Sequence, residues 1–230
     1  VVSIIDVNDL LISSLGDINV GAITATTGTL TITSSTGSIN DATDDNVVDL
    51  TAGGLITLTA EDEIGDHATF TDKELELAAG SSVDASSSTV GSIRLDGLGA
   101  LTLTDVDTGN GIITVTAAGL LTATDVASLT DDDSNDITLT GVGIVAGLVN
   151  AGSAGDVTLD AGTGAITQDG TNDKDDVTAD VLIADATTGI NLDTTVVSAN
   201  ISVSGTGSIT IDELDGLILT DVDTANGAIT

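Results

Sequence analysis

Aspartate is the residue with which this sequence could do chemistry. Asp and Glu total 37 against 3 Lys and Arg, a formal net charge of −34, and the only glutamates are Glu61, Glu63, Glu74, Glu76 and Glu213. The aspartates gather at Asp41-Asp44-Asp45, at Asp131-Asp132-Asp133 with Asp136, and at Asp173-Asp175-Asp176. Calcium takes several carboxylate and carbonyl oxygens from flexible turns, so these clusters point to calcium as a cofactor. The stretch from Asp169 to Asp180 opens somewhat like an EF-hand loop, but Lys174 stands at the sixth position, where that loop requires Gly.

A further site follows from spacing. Leu101-Thr102-Leu103-Thr104-Asp105-Val106 returns as Leu121-Thr122-Ala123-Thr124-Asp125-Val126. If the two phrases stack as parallel strands, Asp105 and Asp125 lie about 4.8 Å apart on one edge. Opposed like charges destabilise a sheet unless a cation bridges them or a pKa rises. The alternative is a solvated acidic edge screened by salt. The expected metal ligands are Asp105, Asp107, Asp125, Asp131, Asp133, Asp136, Asp173, Asp175, Asp221 and Asp223.

Catalysis is not expected. The residues able to act as bases or cations, His67, Lys73, Arg94 and Lys174, are scattered, and carboxylate pairs mean little among so many aspartates. There is no nucleophile elbow or phosphate loop, and Asp169-Gly170 is a turn signal. The acidity argues against nucleic acid, which needs Lys and Arg, and against anionic lipid. No apolar run is long enough for membrane insertion as a helix. Without Cys, stability must come from stacking. A chain that opens at Val1 and lacks Met reads as a processed product or a window on a longer protein.

The elements that must position these carboxylates are short strands. Aliphatic-Thr-aliphatic-Thr recurs at Ile56–Thr59, Leu101–Thr104, Ile113–Thr116 and Ile137–Thr140. Strict alternation marks a half-buried strand with its aliphatic face inward. Each phrase is bracketed by Gly, Asp, Asn or Ser, which tolerate tight turns. Glu74-Leu75-Glu76-Leu77 alternates at period two and also reads as strand. With no Trp or Tyr and only Phe70, the core must be filled by Val, Ile, Leu and Ala. Disorder is rejected, because the mean hydropathy is +0.38 and the pattern is periodic.

Repeats occur at two scales. The shorter is the step from Leu101 to Leu121. On the longer scale, Gly28, Thr31, Gly37, Ile39, Thr51 and Ala52 recur in the same order as Gly155, Thr158, Gly164, Ile166, Thr178 and Ala179. Thr104-Asp105-Val106-Asp107-Thr108 recurs, at a slightly smaller offset, as Thr220-Asp221-Val222-Asp223-Thr224. This divides one continuous rod into a first long repeat, 1–127, with an insertion loop within about 61–90, and a second, incomplete one, 128–230. The insertion holds His67, Phe70 and Lys73, expected on an outward bulge. The fold class is all-β: a right-handed parallel β-helix with coils of about 20 residues, about eleven coils and no significant helix.

The wording Gly53-Gly54-Leu55-Ile56-Thr57-Leu58-Thr59-Ala60, with Gly37-Ser38-Ile39-Asn40-Asp41 and Gly164-Ala165-Ile166-Thr167-Gln168, resembles the repeats of filamentous-haemagglutinin-like bacterial surface proteins. The resemblance covers most of the chain. It implies a right-handed β-helix exported to the cell surface as part of a long adhesin or filament, with neighbouring repeats or a cell-surface glycan as partner. The expected function is a structural or adhesive segment acting as a rigid acidic rod. One alternative is a calcium-dependent, self-assembling filament or surface-layer subunit. Another is an ice- or carbohydrate-binding solenoid that uses its outward Thr ladders.

Overall fold

Aliphatic–threonine alternation becomes strand wherever the sequence repeats it, and every long strand pairing is parallel. The computed structural model describes residues 4–43, 45–65, 74–170 and 175–230. They form a parallel β-solenoid of about 10 turns, with coils of about 21 residues and no helix among the described residues. Stacked at about 4.8 Å per coil, such a rod is about 50 Å long.

The first coils carry three short strands each. The first has β1 (Ile4–Asp6), β2 (Leu10–Ser14) and β3 (Ile18–Val20); the second has β4 (Ile23–Ala25), β5 (Leu30–Ser34) and β6 (Ile39–Asp41). The third has β7 (Leu50–Ala52), β8 (Leu55–Ala60) and the bridge residue Ile64. Then follow β9 (Leu75–Leu77), β10 (Ser81–Ser87), β11 (Ile93–Gly97) and β12 (Leu101–Thr108). From here two strands per coil suffice: β13 (Ile113–Ala117) with β14 (Leu121–Ser128), β15 (Ile137–Thr140) with β16 (Ile144–Asn150), and β17 (Val157–Asp160) with β18 (Ile166–Gln168). The last are β19 (Val177–Ala186), β20 (Ile190–Val203), β21 (Ile209–Glu213) and β22 (Ile218–Thr224).

The interior is a set of aliphatic columns. Ile39, Ile64, Ile93, Ile113, Ile137 and Val157 pair one above another and are fully buried. Burying each such side chain is worth about 1.5–3 kcal/mol against leaving it in water. Thr lines the outer face in the same register: Thr31 faces Thr57, and Thr114, Thr138 and Thr158 form a run of three. The hydroxyl face is not continuous, since Thr158 next meets Ile183 and Thr140 meets Asp160.

Coil length varies more than a uniform period allows. Leu50 must reach as far as Leu77 for its partner, whereas Val177 pairs with Thr194 after a much shorter stretch of chain. Two adjacent long coils owe their length to one corner. Ile64 pairs with Ile93 and Leu75 with Leu95, so eleven residues in one coil span what two span in the next. One coil earlier, eleven residues separate Ile39 from Leu50, where five separate their partners Ile18 and Ile23. Two successive coils are therefore elaborated at the same corner. His67, Phe70 and Lys73 lie outside the described residues.

Turn aspartates fasten several coils to their neighbours. Asp9 Oδ1 accepts the Thr29 N–H at 2.8 Å, and Asp17 Oδ1 accepts that of Ser38 at 3.0 Å. Asp136 Oδ1 accepts the Asp156 N–H at 3.1 Å, and Asp156 Oδ1 accepts the Val181 N–H at 3.1 Å. Each bond satisfies a backbone donor, three of them in turns between strands and one, Val181, within β19.

Candidate metal centres

The phrase Thr104-Asp105-Val106-Asp107 cannot alternate perfectly, and its geometry follows from that. Opposite β10 the register slips between Val83 and Asp84, so Leu103 faces Val83 while Asp105 faces Asp84. This is a bulge at Thr104: one extra residue in β12, two side chains turned outward in succession, and a local bend. Val106 returns to the core, and Asp107 points out again beside Asp105. Above, Leu103 faces Ala123 and Val106 faces Val126, which places Asp125 over Asp105.

The outcome is an acidic ladder on three successive coils: Asp84, then Asp105 with Asp107, then Asp125. One carboxylate oxygen from each of Asp105, Asp107 and Asp125 lies within 4.8 Å of the others. Partial burial, then the charges of Asp105 and Asp125, push the Asp107 carboxyl up to about 6. Burial followed by the Asp105 charge raises Asp84 and Asp125 as well. These groups hold excess negative charge, the arrangement a divalent cation relieves.

The other expected ligands have different surroundings. Asp131 is fully exposed and already occupied, accepting from Ser153 Oγ at 2.7 Å and from the Ala154 N–H at 2.7 Å; these bonds hold its carboxyl below the usual range. Asp133 is exposed, and Asp136 serves the inter-coil bond to Asp156. Asp175 accepts from Thr195 Oγ1 at 2.6 Å, and Asp173 lies outside the described residues. In β22 the bulge of β12 recurs at Thr220, but Asp221 faces Asn200 and Asp223 faces Ser202, whose Oγ donates to it at 3.0 Å. The same phrase thus builds a carboxylate cluster in one coil and carboxylate–hydroxyl pairing in another. Among the described residues, Asp105, Asp107 and Asp125 are the members of the expected set that come together.

A second cluster lies at the elaborated corner. Asp41 ends β6, Asp49 leads into β7, and Glu76 is the middle residue of β9. Their relative exposures are 0, 3 and 0 %, and one carboxylate oxygen from each lies within 4.8 Å of the others. Glu76 occupies an outward position of its strand, yet it is fully buried. Adjacent coils interlock here: the Asp49 N–H donates to the Glu76 carbonyl at 2.9 Å, and the Glu76 N–H donates to Asp49 Oδ2 at 3.4 Å. Burial raises the Asp41 carboxyl and pushes Asp49 up to about 7, with Asp41 and Asp45 adding like charge to the latter. Sequence reasoning placed Asp41 in a cluster with its chain neighbours and missed Asp49 and Glu76. The available signal was a glutamate at an outward strand position beside two coils of excess length.

Comparison of the chain with protein-family models, curated proteins and solved structures finds no match, so its assignment as a parallel β-solenoid rests on the strand ladders themselves.

Proposed function

We propose that this chain is a structural stretch of an extracellular, cell-surface repeat protein of the filamentous-haemagglutinin-like kind, acting as a rigid acidic rod. The observation that carries the reading is the parallel ladder of about 10 turns around a core in which, among the described residues, the buried hydrophobic side chains are all aliphatic. Such a ladder gives length and stiffness from repetition alone, each coil burying the face of its neighbour. Neighbouring repeats of the same chain are the natural partners of a rod, and a cell-surface glycan is the partner in the adhesive version of this role. Calcium bridges Asp105, Asp107 and Asp125, because their juxtaposed carboxylates gain most from a shared divalent ion. The exterior Thr ladders are too often interrupted to favour an ice-ordering face.

Immunogold electron microscopy of native cells with an antibody to this chain tests the rod. Gold along surface projections is expected, and label confined to the cell interior rules the reading out. Thermal unfolding followed by far-ultraviolet circular dichroism at low salt tests the ion. With extracellular calcium sites binding at about 0.1–1 mM, millimolar calcium should raise Tm and a chelator should reverse the rise; identical melts with and without calcium eliminate the bridged ladder.

A further inference from the structure

The corner where β6, β7 and β9 meet holds three carboxylates that contribute nothing to the aliphatic core. Asp41 Oδ1 is engaged by Thr43, accepting its N–H at 2.9 Å and its Oγ1–H at 3.3 Å. Asp41 Oδ2 is fully buried and accepts no hydrogen bond. Leaving such an oxygen unsatisfied costs its full desolvation penalty. The Asp41 side chain interacts directly with that of Asp49, so compensation for the buried oxygen has to come from within this cluster.

The spacing admits a bridging cation. Two oxygens bound to the same calcium at about 2.4 Å can lie at most about 4.8 Å apart, and the three carboxylates meet that bound. Magnesium usually keeps several of its waters and takes only one or two carboxylates, which does not match three carboxylates shut from water. Carboxylates this close and shut from water cannot all stay ionised without positive charge between them. The ligands also come from separate segments: Asp41 and Asp49 flank the loop of residues 42–48, and Glu76 belongs to the next coil.

The geometry points to a buried calcium site formed by Asp41, Asp49 and Glu76, which clamps the elaborated corner of one coil onto the coil above it. This site is separate from the surface ladder of Asp105, Asp107 and Asp125, and stands or falls independently of it. The competing occupant is a proton shared among the carboxylates.

The test uses the full chain carrying Asp105→Asn and Asp125→Asn, so that the ladder is silent, and titrates calcium chloride by calorimetry up to about 1 mM, the range of extracellular sites. One bound calcium per chain is expected. Adding Asp41→Asn, or separately Glu76→Gln, should weaken that binding at least tenfold while leaving the far-ultraviolet dichroism of a β-solenoid intact. At calcium about 100-fold above Kd, Tm of the ladder-silent protein should rise by about 5–10 °C, and the rise should vanish with either added substitution. No calcium uptake by the ladder-silent protein overturns the proposal, and so does uptake that Asp41→Asn and Glu76→Gln both leave unchanged. Failure of the ladder alone shows differently: the ladder-silent and native proteins would then bind equal calcium.

Discussion

Aspartate does three jobs in this molecule, and the neighbour across the coil decides which. Opposite a backbone N–H, as at Asp9, Asp17 and Asp136, it fastens one turn to the next. Opposite a hydroxyl, as at Asp175 and Asp223, it closes a side-chain pair. Opposite other aspartates, as at Asp105, it gathers charge. Replacing Asp105 with Asn removes a charge that raises Asp84, Asp107 and Asp125. In calcium-free buffer Asp105→Asn should therefore raise Tm by about 2 °C, from relief of cross-strand repulsion, while abolishing the ladder's share of any calcium-induced rise. A lower Tm in calcium-free buffer would show that the Asp105 charge is compensated within the fold. The pair Asp105 and Asp125 was legible because a repeated phrase one coil apart needs only the assumption of stacking. The different fates of Asp131 and Asp223 were not, since each depends on what a turn or strand one coil away presents. Asp41, Asp49 and Glu76 were harder still, because their meeting requires two extra-long corners to coincide.

At the level of the element, strand identity was written in the alternation, and the period-two stretch at Glu74–Leu77 supplies the strand β9, Leu75–Leu77. What alternation could not convey is how many strands make a coil. That number changes at β11, where the ladders reaching Ile64 and Leu75 run into a single strand. Nor could it convey the bulge at Thr104, which appears only as two consecutive outward residues. Glycine spacing does encode the corners. Gly91 and Gly111 have ordinary φ values, so backbone conformation is not what requires glycine there. Space is: a Cβ on Gly111 would strike the Gly91 carbonyl, and one on Gly91 would strike the Asp62 carbonyl. Stacked turns about 4.8 Å apart leave no room for a side chain along the rod axis. Gly111→Ala should therefore cost about 1–3 kcal/mol, as overpacking does, read as a lower urea midpoint. Gly216→Ala, where a Cβ would meet nothing within 4 Å, should leave the midpoint unchanged.

For the whole molecule, the common direction of the carboxyl shifts sets how stability responds to pH. Asp41, Asp49, Asp84, Asp96, Asp107, Asp125, Asp156 and Asp185 are all raised, each chiefly by burial and each with like charge nearby. Asp131 and Asp132 are lowered by hydrogen bonds. A raised acid keeps its proton in the folded rod after the unfolded chain has released it, so between the ordinary value of 3.8 and the raised one the folded state binds more protons. Stability then falls as pH climbs through that window, which for Asp107 and Asp49 extends to about 6 and about 7. The two lowered groups act oppositely, but only below the ordinary value. The sequence pI of about 4.1 makes pH 5 a practical lower limit for soluble protein. In calcium-free buffer Tm should be highest near pH 5 and decline steadily to pH 7.5, the reverse of the acid lability of proteins built on salt-bridged carboxylates. Saturating calcium should flatten the decline, because a bound cation provides at pH 7 the compensation that protons provide at pH 5. A calcium-free Tm that rises from pH 5 to pH 7.5 would mean that the acidic surface is relaxed in the fold, and that neither protons nor cations are needed to hold its coils together.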